Sequence, residues 1–110
     1  MWKIPYLFTT SSYPTDLRDE VVEAYFKMLK EMPFDRSLGK ETIQVAVTTN
    51  PKGVKSLSIA NIKEDKLTEA ILWTYKRMSY FQLIKGFEYK IWVWTSIVEA
   101  LESINRKLPE

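Results

Sequence analysis

The chain has 110 residues, room for one ordinary core of about 100–150 residues, so residues 1–110 read as a single domain. Its 45% hydrophobic and 27% charged content is that of a folded globular chain and excludes disorder, collagen-like repeats and low-complexity scaffolds. The net charge of +2, from 16 basic and 14 acidic side chains, is far from the balance of a dedicated nucleic-acid binder. The absence of Cys and His removes disulfides, thiolate nucleophiles, histidine bases, His-ligated haem and ordinary structural zinc.

The opening segment, Trp2 to Ser12, is aromatic and β-branched and alternates Ile4, Tyr6 and Phe8 against Pro5, Leu7 and Thr9, which predicts a strand with Pro5 near its start. Its short apolar run is too little for a secretory signal, and no later stretch reaches the roughly 20 apolar residues of a spanning helix, so the expected location is the cytoplasm. Pro14, with Thr15 or Asp16 as N-cap, announces a helix to about Met32, where Pro33 stops it. Leu17, Val21, Ala24, Tyr25, Met28 and Met32 form its apolar stripe. After a loop, Ile43, Val45 and Val47 alternate with Thr42, Gln44, Ala46 and Thr48 as a half-buried strand.

Asn50-Pro51-Lys52-Gly53 reads as a type I turn closing a hairpin. The returning strand puts Leu57, Ile59 and Asn61 on one face and Ser58, Ala60 and Ile62 on the other. Glu64 and Asp65 then cap a long helix, about 66–85, that ends at Gly86 in the left-handed position of a C-cap. A last strand, FEYKIWVWTS, precedes a short helix with Ser96 as N-cap and Glu99 as its capping-box partner.

Strand, helix, strand, strand, helix, strand and a terminal helix, joined by right-handed crossovers, give an α+β fold: a ferredoxin-like βαββαβ sandwich with an extra C-terminal helix. Two helices cover one face of a four-stranded antiparallel sheet and leave the other open. That open face is expected to be polar, yet the last strand is apolar on both sides: Tyr89, Ile91 and Val93 on one, Trp92 and Trp94 on the other, with Lys90 beside them. The first and last strands are neighbours in such a sheet, so Tyr6, Phe8, Trp92 and Trp94 can stand together, a patch larger than a monomer usually exposes.

By this element order, over nearly the whole chain, the sequence resembles the dimeric α/β-barrel superfamily, in which two ferredoxin-like protomers close their sheets on each other. The resemblance implies a homodimer through the open sheet face and, as in many members, a pocket between sheet and helices. Haem-dependent members need a His ligand that this chain lacks. A second use of the same aromatics is a pocket for a small apolar or aromatic molecule, with Asn61, Thr10 or Lys90 as polar determinants. The alternative is a non-enzymatic module that binds protein or single-stranded nucleic acid through the aromatic face. RNA binding is not expected, because the third strand, KSLSIANI, has neither the aromatics nor the basic-Gly-aromatic pattern of an RNA-recognition motif.

No catalytic constellation, metal site or cofactor is expected. Asp16, Asp19, Glu20 and Glu23 follow a solvated helix face and its dipole. Ser37-Leu38-Gly39-Lys40 matches Ser-x-x-Lys only by letters, and Lys76-Arg77 reads as a solvent-facing basic pair. The hydroxyl run Thr9 to Ser12 reads as the end of a strand and the opening of a turn. The candidate ligand or interface residues are therefore Tyr6, Phe8, Asn61, Lys90, Trp92 and Trp94.

Overall fold

The computed structural model describes residues 5–109. The expected strand residues Trp2 and Ile4 lie outside that range. Four strands, β1 (Tyr6–Tyr13), β2 (Gly39–Asn50), β3 (Gly53–Ile62) and β4 (Glu88–Trp94), form one antiparallel sheet in the order β2-β3-β1-β4. The helices are α1 (Arg18–Glu31), α2 (Leu67–Met78) and the short α3 (Ile97–Glu102). The class is α+β, and no helix among the described residues is long and apolar enough to cross a membrane.

β1 is central because it has a partner on both sides, pairing with β3 from Tyr6↔Asn61 to Tyr13↔Val54 and with β4 from Tyr6↔Trp94 to Ser12↔Glu88. Pro5 just precedes it and contributes only an acceptor, taking the Ile62 amide at 3.0 Å. β2 and β3 form the expected hairpin, with Asn50 facing Gly53 and the Asn50 Oδ1 accepting the Lys52 amide at 2.8 Å. Gly53 has φ 144°, and a Cβ there would lie 2.3 Å from the Tyr13 carbonyl oxygen, so only glycine fits.

Several boundaries differ from the expectation. Neither Thr15 nor Asp16 caps α1 through its side chain; Thr15–Leu17 form a 3-10 turn that leads into the helix. The long second helix is shorter than its stripe suggests, because α2 gives way at Met78 to a 3-10 turn, Ser79–Phe81. Gly86 has φ 92° but serves the approach to β4, where Pro14 and Leu17 crowd it, not the end of α2. At α3 the Ser96 Oγ accepts the Glu99 amide at 3.2 Å, while the Glu99 Oε1 is buried without a partner, so only one arm of the capping box forms.

β2 departs most. It is exposed along most of its length, not half-buried, and Val47 is 61% exposed. Two register shifts, between Glu41 and Ile43 and between Ile43 and Ala46, give it two more residues from Glu41 to Val47 than β3 has from the facing Ala60 to Ser56. Such bulges bend an edge strand and re-aim its side chains.

The core lies between sheet and helices and is divided. One cluster gathers Tyr13, Val21, Met28, Val54, Met78 and Phe81, with Phe87 stacked on Phe81 at 4.6 Å between ring centroids. The other gathers Leu7, Leu38, Ile62 and Ala70 at the opposite end of β1 and β3. Ile62 is 1% exposed, a burial worth about 1.5–3 kcal/mol. No residue of α3 is buried, and Ile97, Ile104 and Leu108 are exposed. The molecule measures 49 × 32 × 19 Å and its radius of gyration is 15.9 Å, above the roughly 13 Å of a compact chain of this size.

Candidate functional site

Register decides which side chains meet on the open side of the sheet. Residues directly opposed in an antiparallel pair share a face, and β1 pairs with β4 without a bulge. Tyr6 and Phe8 therefore stand beside Trp94 and Trp92, with Lys90 beside Thr10 and, on the β3 side, Asn61 beside Tyr6. Phe8 stacks on Trp94 with centroids 5.2 Å apart, the Lys90 Nζ lies 3.7 Å from the centre of the Trp92 ring, and the Trp92 Nε1 donates to the Thr10 Oγ1 at 3.2 Å. The Asn61 Oδ1 accepts from the Thr42 hydroxyl at 3.0 Å. All six sequence candidates share one face, on which Trp94 remains 52% exposed.

None of the six lines the pocket between sheet and helices, which is on the other side of the sheet; Lys90 borders a shallower surface hollow with Thr10 and Leu57. A cavity of about 210 Å³ separates the two core clusters. Its floor is the helix-facing side of β1 and β3, where Thr9 opposes Ser58 and Ser11 opposes Ser56. The Ser11 and Ser56 hydroxyls are bonded to each other. Four small hydroxyl residues thus occupy the middle of a surface that carries buried Leu7 and Tyr13 at its ends. The run Thr9 to Ser12 does not end a strand and open a turn; it lies inside β1. Walls come from α1 (Val21, Tyr25, Met28), α2 (Trp73, Met78) and the bulged stretch of β2, which turns Ile43, Gln44 and Val45 to the rim.

The cavity has one basic group, Arg77, which the sequence reading placed in solvent. Its Nε donates to the Met32 carbonyl oxygen at 2.9 Å, tying the end of α2 to the end of α1. The guanidinium carbon lies 4.6 Å from the centre of the Trp73 ring, and Phe34 meets that ring edge-on at 5.5 Å. The Nη2 is buried with no partner. No carboxylate is within 4.0 Å of Arg77; the ion pairs among the described residues are Arg18–Asp19 and Lys66–Glu69, both on the surface. Burial holds the guanidinium below its ordinary pKa, while Glu41 and Tyr25 raise it. Burial pushes the Tyr25 hydroxyl up, the Gln44 side chain and Arg77 lower it, and Glu41 raises it.

A signal for Arg77 was present in the helix period. It lies seven residues after Ala70 and three after Thr74, both buried, so it extends the inward stripe of α2. The other motifs stay quiet. Ser37 donates its hydroxyl to the Asp35 carboxylate at 2.6 Å in a local turn, and Lys40 pairs with Asn61 in the sheet. Among the described residues no group of acidic side chains could hold a metal ion. No family model, no curated protein and no solved structure matches the chain.

Proposed function

We propose that this protein binds a small apolar or aromatic molecule in the cavity between sheet and helices, and that two copies of a ferredoxin-like protomer pair through their open sheet faces. The observation that carries the first part is the divided core. A chain of this size gains stability by closing its apolar clusters on each other, yet here Thr9, Ser11, Ser56 and Ser58 keep them apart around about 210 Å³ of space. A dry cavity of about 150 Å³ already accommodates benzene. The opening suits one ring with a short substituent.

Support for the pairing comes from the opposite face. Phe8, Trp92 and Trp94 form an apolar patch on a flat molecule, and the C-terminal stretch leaves Ile97 of α3 and, beyond the helix, Ile104 and Leu108 exposed. Both α1 and α2 on one side of the sheet, with β1 and β3 at its centre, favour the ferredoxin-like reading. A ring-sized neutral probe, benzyl alcohol, tests the cavity. At 100 times its dissociation constant it stabilises the fold by about 2.7 kcal/mol, read as a higher urea midpoint. An unchanged midpoint up to the solubility limit of the probe contradicts the reading.

A further inference from the structure

We infer that the molecule held in the cavity is an acid: a ring-sized apolar or aromatic carboxylate whose anionic end is received by Arg77. The inference rests on the cavity reading and adds the chemical class of the ligand.

Three observations converge on it. Arg77 lines the cavity, and its guanidinium is fixed by the Met32 carbonyl at Nε and by the face of Trp73, itself a wall residue. A cation so oriented loses little freedom when it receives an anion. Its Nη2 is buried and unpartnered, although a buried donor without an acceptor costs about 1–3 kcal/mol. Native folds keep such groups where something outside the chain completes them. An arginine is also always charged, so it cannot relieve its burial by losing a proton.

The remaining lining sorts the ligand further. Opposite charge in the cavity is limited to Glu41, which lies on the bulged edge strand and makes no ion pair with Arg77. Glu41 sets an upper limit to acid affinity by repelling an incoming carboxylate. The floor hydroxyls of Thr9, Ser58 and the bonded Ser11–Ser56 pair can donate to a second oxygen of the ligand, and Val21, Met28 and Met78 take its apolar body. A cationic ligand is repelled by Arg77; a neutral one offers the guanidinium only an uncharged, weaker acceptor or none.

Calorimetric titration with phenylacetate and with phenylacetamide, which has the same shape and no charge, tests this. The acid is expected to bind at least tenfold more tightly, as a charge-assisted hydrogen bond allows. Glu41→Gln is expected to strengthen phenylacetate binding two- to fivefold and leave phenylacetamide unchanged. Arg77→Met removes the preference for the acid, and Glu41→Gln carries the test alone if loss of the Met32 contact unfolds that variant. Equal affinity for the two probes, or a Glu41→Gln protein indifferent to charge, overturns the inference and leaves the cavity reading intact. If neither probe binds the wild-type protein, both fall.

Discussion

Thr9→Ile measures the space directly. Thr9 sits at the centre of the cavity floor, opposite Ser58 on β3 and Ile91 on β4, and isoleucine keeps the β-branched shape a central strand prefers. The substitution exchanges a hydroxyl for an ethyl group pointing into the gap. Two added carbons at about 0.8 kcal/mol per buried methylene give an expected gain of about 1.6 kcal/mol. Ser11 is a poorer choice, because its hydroxyl is bonded to Ser56. With urea slopes of about 1–3 kcal/mol per molar, the midpoint should rise by roughly 0.5–1.6 M at constant slope. The same variant should bind benzyl alcohol more weakly, since the ethyl group takes the ligand's place. A closed core gives the opposite sign, because forcing extra carbons into filled space costs about 1–3 kcal/mol. A fall in the urea midpoint therefore refutes the cavity.

Other expectations follow from single contacts. Ile62→Ala, at the most buried large side chain, should lose about 2–5 kcal/mol in urea unfolding. Gly53→Ala should fail to form the β2–β3 hairpin, seen as lost amide protection across Asn50–Gly53, because its Cβ would meet the Tyr13 carbonyl. Light scattering at micromolar concentration should give twice the chain mass, and Trp94→Lys, which puts a charge in the apolar patch, should return one chain mass. Single-stranded RNA should leave the tryptophan fluorescence unchanged at low salt; saturable, salt-sensitive quenching would favour a base-stacking face over a protein interface.

The elements that sequence made visible are those with a local period. Alternation marks β1, β3 and β4 and puts Tyr6, Phe8, Trp92 and Trp94 on one face, because a strand without bulges keeps its parity. Asn50-Pro51-Lys52-Gly53 fixed the hairpin for the same reason: turn chemistry is written within four residues. β2 is exposed where its alternation through Ile43, Val45 and Val47 implies half-burial, since bulges leave no trace in such a sequence. The cavity was hidden more deeply. Ser56 and Ser58 lie more than forty residues from Thr9 and Ser11, and only the register of β1 on β3 shows that four small hydroxyl groups coincide. Arg77 sits in an adjacent basic pair, a pattern that ordinarily marks a solvated face, although its spacing from Ala70 and Thr74 puts it on the inner face of α2.

The two sides of the sheet make different claims on an aromatic ligand, and methionine-methyl NMR distinguishes them. Met28 and Met78 both line the cavity, on α1 and α2, whereas the open face holds Phe8, Trp92 and Trp94. With the methionine methyl groups labelled and phenylacetate at saturation, nuclear Overhauser contacts from the ligand ring should reach the Met28 and Met78 methyls and leave the Trp92 and Trp94 indole protons untouched. Contacts to the indoles without contacts to either methyl would place the ligand on the open face and contradict binding between sheet and helices.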